Sequence, residues 1–172
     1  MHHDAHHHHP SDSGLREYVK FAGVIVIIFI LSLVAFFAND GSTGQDFLQV
    51  FMGVFLLVFA GFKFAGYKMF VAMFPSYDLL AERSERYARA YPFIELFLGL
   101  LFVLDIAPDA RNIAVVIIMG IGALGVLREV AVRRRGIQCA CLGNIIKLPL
   151  STVSLIENLS MVAMATYMLV VM

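Results

Sequence analysis

The sequence predicts an all-α protein: a polytopic transmembrane helical bundle of four to five spans with one interfacial helix. Three observations lead there. Hydrophobic residues make up 60% of the 172 positions and charged ones 15%, with a mean hydropathy of +0.81, which excludes an ordinary water-soluble domain. The apolar residues gather in runs of the length a hydrocarbon core requires at about 1.5 Å of rise per residue. The breaks between those runs collect Gly, Pro, Asn, Asp and charge.

Residues 1–17 read as a polar, His-rich cytoplasmic tail and 18–172 as a single membrane domain. The first span covers 21–38, FAGVIVIIFILSLVAFFA. No small-residue cleavage site follows it, and the segment before it is longer and more polar than a signal-peptide n-region, so it reads as a permanent anchor. Further spans are expected at 47–64, 91–106, 113–132 and 151–172, of which 91–106 is the shortest. Asn39-Asp40-Gly41-Ser42, the charged stretch 77–89, Pro108-Asp109 and the segment around the cysteines separate them.

Between the second and third spans, DLLAERSERYARAY has amphipathic helical spacing through Tyr77, Leu80, Tyr87 and Tyr91, with Glu82–Arg86 and Glu85–Arg89 as i,i+4 pairs. It is expected either to lie in the inner interface or to extend the third helix into the cytosol. Of the 13 lysines and arginines, all but Arg111 fall on one side of the membrane in this topology. That side is the cytoplasm, which places the N-terminus inside and makes the chain a multi-pass protein of a bacterial inner membrane. The formal net charge of zero excludes the accumulated basic face that nucleic acid requires.

The only two cysteines stand one residue apart in RRRGIQCACLGN. Cys139 and Cys141 offer two soft sulfur donors, suited to two-coordinate Cu(I) or Hg(II) better than to a four-ligand Zn(II) site. Arg133, Arg134 and Arg135 favour the thiolate, the form that binds metal or attacks a disulfide. The bland alternative is a pair of inert small hydrophobes at the membrane boundary.

In the last span, Glu157, Met161, Met164, Met168 and Met172 are spaced 4, 3, 4 and 4 apart, within about 80° of arc on one helix face. Taken alone the methionines read as core packing, but a carboxylate at membrane depth is a functional residue by default. Glu95 and Lys63 are further ionisable residues near or within the spans. Lys63 is expected to snorkel to the interface, with pairing to Glu95 as the alternative. The N-terminal His2, His3, His6, His7, His8 and His9 read as a metal-collecting tail, interrupted by Asp4 and Ala5 unlike a purification tag.

Gly120-Ile-Gly-Ala-Leu-Gly125 matches a dinucleotide-binding pattern but lies inside an apolar span, where its glycines allow close helix packing. No phosphate loop, nucleophile–base pair or zinc-protease motif is present, and no organic cofactor is expected.

Taken together, GFKFAGYKMF, Pro92-Phe-Ile-Glu95, the glycine-rich span ending in arginines, and Cys139-Ala-Cys-Leu-Gly143 with Pro149 and Glu157 resemble the MauE/DoxX group of redox-associated membrane proteins. The likeness runs from about Phe47 to the C-terminus. In that group, MauE is associated with maturation of a disulfide-rich dehydrogenase, which implies thiol–disulfide or electron-transfer work with a periplasmic redox protein. Other relatives with a CxC segment carry a heavy-metal-associated domain before the spans, which implies copper tolerance. Here the His-rich tail occupies that domain's place, and a separate soluble metallochaperone would have to deliver the metal.

The leading expectation is therefore a non-enzymatic protein that binds and moves or buffers copper through Cys139, Cys141 and the Glu157/Met161/Met164/Met168 face. The alternative is a thiol–disulfide oxidoreductase component using the same cysteines. A two-residue spacing makes a strained, oxidising disulfide. A third reading is a non-catalytic assembly subunit, and an oligomer in the bilayer is compatible with all three.

Overall fold

A computed structural model describes residues 11–38, 41, 43–129 and 150–171, of which 11–18 and 150–154 by backbone alone. The described residues form helices α1 (Ser11–Ala38), α2 (Gly44–Ala65), α3 (Tyr67–Met73), α4 (Glu85–Val103), α5 (Pro108–Arg128) and α6 (Leu150–Val171), with a 3-10 turn at Phe74–Ser76. No strand occurs among them.

Local chemistry explains the boundaries. Thr43 caps α2 through a capping box: its Oγ1 accepts from Asp46 N at 3.2 Å while Thr43 N donates to Asp46 Oδ2 at 3.0 Å. Ser84 caps α4 by accepting from Tyr87 N. Pro108 opens α5, where its missing N–H has no helical partner to lose. The turn before it is tight: Asp105 and Ala107 both have positive φ, 53° and 48°.

Three helices are long and apolar enough to cross a membrane: Val19–Ala38 within α1, then α2 and α5. In α6 the apolar stretch among fully described residues is Leu155–Val171. Helix α4 carries Glu85, Arg86, Arg89 and Glu95 and is not among the helices apolar enough to cross by hydropathy; it packs along α2. Apolar side chains such as Val26, Ile30, Phe97, Ile117 and Val170 face outward, as lipid-facing residues do. The protein is a membrane-embedded helical bundle.

The bundle is built from antiparallel neighbours. Helix α2 packs on α4 and α5 on α6, and α1 lies against α2 at the periphery. Glycines set the α2–α4 approach: a Cβ on Gly99 would meet Leu57 N at 3.1 Å, and one on Gly53 would meet Phe102 Cβ at 3.0 Å. The main core joins Phe55, Leu56 and Phe59 to Leu98, Phe102, Met119, Met161 and Met168. A second, aromatic cluster of Phe70, Phe74, Tyr77 and Tyr91 fills the end of the bundle where α2 turns into α4.

Two expectations are corrected. The amphipathic stretch is not one interfacial helix: residues 79–83 form turns between coil positions at Asp78 and Ser84, whereas from Glu85 it extends the helix of the third expected span, as the other alternative had it, and the short helix of this region is α3. The reason is local, because the Asp78 carboxylate accepts from Leu80 N and Ala81 N and closes a turn that competes with a helix. Of the two expected ion pairs, Glu85–Arg89 forms at 2.6 Å between exposed side chains, whereas Glu82 instead accepts from Arg128 at the end of α5.

Candidate functional site

Most of the buried polar groups among the described residues cluster at the end of the bundle where α2 and α5 finish and α4 begins. Lys63 lies in the last turn of α2, on the helix face that also buries Phe59 and Ala60. That register carries its side chain into the bundle, where Glu95 of α4 meets it. Lys63 Nζ donates to Glu95 Oε1 at 2.7 Å and Oε2 at 2.6 Å, and the two residues are 3% and 1% exposed. The snorkelling expectation for Lys63 is overturned, because a short reach to a buried carboxylate satisfies the ammonium where a longer reach to water is blocked by packed rings. Those rings are Phe59, Phe70 and Tyr91, whose centroids lie 5.6, 5.9 and 5.5 Å from Nζ and add cation–π attraction in a desolvated setting.

Tyr91 continues the polar line: its hydroxyl donates to Met119 Sδ on α5 at 3.5 Å. One turn earlier on α4, the Tyr87 hydroxyl is buried without a hydrogen-bond partner among the described residues, within electrostatic range of Asp78 and Glu95.

Asp78 is itself 1% exposed. Its Oδ1 takes the backbone N–H groups of Leu80 and Ala81 at 2.9 and 2.8 Å, while Oδ2 has no partner among the described residues. Burial pushes this carboxyl above the ordinary carboxylate range, against the opposing pull of the two backbone hydrogen bonds. Two glycines of α5 make room for it. A Cβ on Gly125 would collide with the Tyr77 carbonyl oxygen and meet Asp78 Cα at 3.1 Å. At Gly122 a Cβ would stand 3.0 Å from Asn158 Nδ2 of α6 and 3.8 Å from Asp78 Oδ2. The expectation that these glycines serve close packing holds for Gly122 and Gly125, whereas Gly120 faces a lipid-side groove of about 490 Å³.

On α6 the expected face is partly assembled. Glu157, Met161 and Met168 are buried and Met164 is half-buried, with Met161 and Met168 inside the apolar core beside Met52 and Met119. Among the described residues no group of three or more His, Cys, Asp or Glu side chains is placed to hold a metal ion. Cys139, Cys141, Arg133, Arg134, Arg135, Met172 and the histidines His2, His3, His6, His7, His8 and His9 lie outside the described residues.

At the opposite end, Arg111 is fully buried on α5. It donates to the Leu101 carbonyl at 3.1 Å and to Asp105 at 2.9 Å, with its guanidinium 4.8 Å from the Phe102 ring centroid. Sequence reading took Arg111 only as the lone basic residue of its side and Tyr87 only as part of an amphipathic face, and passed over Asp78 and Asn158. The available signals were an arginine isolated from other bases, and an acid directly following the aromatic run Phe70 to Tyr77.

Residues 18–171 match the family model described as methylamine utilisation protein MauE. The chain belongs to the MauE family. The match spans both cysteines, the Lys63–Glu95 pair and Asp78 of this MauE-family protein. No curated protein and no solved structure gives a significant match.

Proposed function

We propose that this MauE-family protein is the membrane-embedded thiol–disulfide component of a protein-maturation system serving methylamine utilisation. The observation that carries the reading is the family match across 18–171, which includes Cys139 and Cys141. The chemistry balances by exchange. The Cys139 thiolate attacks a partner's disulfide to give a mixed disulfide, and Cys141 then displaces the partner's thiol, leaving one disulfide here and a dithiol on the partner. The flanking arginines favour the attacking thiolate. The basic residues that gather at one end of the bundle, including Lys63, Arg89 and Arg128, support a cytoplasmic placement of that end in a bacterial inner membrane.

The test is equilibration of the full chain in detergent with glutathione redox buffers, followed by alkylation and mass measurement of Cys139 and Cys141. A reversible two-electron transition between these cysteines is expected. Cysteines that stay reduced in every buffer overturn the reading.

A second reading, soft-metal handling, rests on the burial of Glu157, Met161 and Met168 along one face of α6. In it Cys139 and Cys141 take Cu(I) from a soluble metallochaperone, with Hg(II) or Zn(II) as competitors. The His-rich tail collects metal, and the α6 face buffers it. Titration of the reduced protein with Cu(I) against a competing chelator separates the readings. Tight binding lost in Cys139→Ser/Cys141→Ser supports metal handling; no binding removes it.

A further inference from the structure

The groove between α5 and α6 is lined only by apolar residues, among them Ile117, Gly120, Leu124, Leu127, Leu155 and Leu159. A Cβ on Gly120 would meet nothing within 4 Å, so the glycine leaves open space that no neighbour fills. Ile117, Leu124, Leu127 and Leu159 are half-exposed, which opens the groove sideways to the hydrocarbon. Its lining on α5 runs from Val116 to Leu127, about 16 Å of helix, or one leaflet of a hydrocarbon core about 30 Å thick. Among the described residues none of α5 before Val116 lines it, so the groove does not continue across the bilayer. A transmembrane helix of a second copy would need the full thickness, whereas an acyl chain needs one leaflet. The volume of about 490 Å³ is that of a site for a single small ligand.

The end of the groove is basic. Helical period puts Arg128 on the same face of α5 as Leu124, one turn beyond it at the groove's mouth. Its guanidinium is half-exposed and donates to Glu82 Oε2 through Nη1 at 3.1 Å. Nε and Nη2 form the other edge of the fork, the one that takes a phosphate bidentately. Lys68, Arg83, Arg86 and Arg89 are also exposed at this end of the bundle, against the exposed acids Glu82 and Glu85. At the opposite end the exposed charges near α5 are Asp105 and Asp109, both acidic. The groove therefore opens beside a positive rim, the complement of an anionic headgroup.

We propose that the α5–α6 groove binds one anionic phospholipid, with an acyl chain lying over Gly120 and the phosphate on the Nε/Nη2 edge of Arg128. The lipid fills the seam between two helices that otherwise expose apolar side chains on both sides of an empty space. The site uses neither cysteine, so it stands if the thiol chemistry proposed above fails.

Native mass spectrometry of the full chain released from detergent tests this, with phosphatidylglycerol and phosphatidylcholine of identical acyl chains added in turn. A one-to-one adduct is expected with phosphatidylglycerol at about tenfold lower lipid concentration than with phosphatidylcholine, the scale of one charge-assisted contact. Arg128→Gln should abolish that preference, and Glu82→Gln, which releases Arg128 from its protein partner, should keep it. Gly120→Leu places a side chain in the open space without a clash and should weaken both adducts. Equal adducts for the two lipids, a preference that survives Arg128→Gln, or adducts indifferent to Gly120→Leu overturn the site. A dimer that Gly120→Leu converts to monomer, with no lipid adduct, overturns it in favour of a second copy.

Discussion

Lys63 Nζ sits between the two carboxylate oxygens of Glu95, 32 residues further along the chain, with both side chains almost wholly excluded from solvent. Two opposite charges removed from water stabilise one another only because each is the other's partner. Removing one leaves the other stranded in a low-dielectric interior.

Glu95→Gln and Lys63→Met are each therefore expected to destabilise the bundle by about 3–5 kcal/mol, whereas Lys63→Met/Glu95→Leu should recover most of that loss. Unfolding of the detergent-solubilised protein measures all three. A double variant no better than the worse single one would show that the pair does more than neutralise itself.

The backbone of Tyr77 and Asp78 lies against Gly125, and no side chain fits between them. Gly125→Ala should cost about 1–3 kcal/mol through overpacking. Gly120→Ala, five residues away and facing open space, should be neutral or gain a few tenths of a kcal/mol, of order 0.5, from helix propensity. Equal effects at the two positions would contradict the packing seen at Gly125.

Burial raises the Asp78 carboxyl above its value in the unfolded chain. The folded state then binds the proton more tightly, so this residue's contribution is fully present below the unfolded value and is lost as pH rises through the folded one. Asp78→Asn keeps an oxygen for Leu80 N and Ala81 N. It should flatten the stability profile on the alkaline side, which thermal unfolding between acid and alkaline pH would reveal.

Arg111 is held by the Leu101 carbonyl, Asp105 and the face of Phe102. A lysine has neither the planar fork nor the stacking surface. Arg111→Lys should lower stability by about 2 kcal/mol, the scale of a buried group losing its charged hydrogen bonds. Asp105→Asn should cost less than about 1 kcal/mol, since Asp105 is 67% exposed.

Met161→Leu/Met168→Leu conserves volume in an apolar core and should cost less than about 1.5 kcal/mol. Under the thiol–disulfide reading, the redox transition of the cysteines is unchanged. A loss of Cu(I) binding in this variant would instead favour metal handling.

Fold class was legible because a membrane span is a local property: 18 or so apolar residues in a row satisfy the bilayer wherever their neighbours stand. The runs at 21–38 and 47–64 accordingly lie within α1 and α2. Helix α5 begins five residues before its run, because Pro108 starts the helix that the same residue was expected to break. The methionine face was legible for the same local reason, since helical period alone puts Met161 and Met168 on one side.

Composition and hydropathy alone set the all-helical membrane class and the three helices long and apolar enough to cross a bilayer, in α1, α2 and α5. Which ionisable groups meet inside the bundle was decided by tertiary packing. The Lys63 ammonium turns inward because α2 and α4 approach at Gly53 and Gly99, and Asp78 is buried because Gly122 and Gly125 admit a turn and an amide. Hydropathy is summed along the chain, whereas the cost of a buried charge depends on what stands within a few ångströms of it in space.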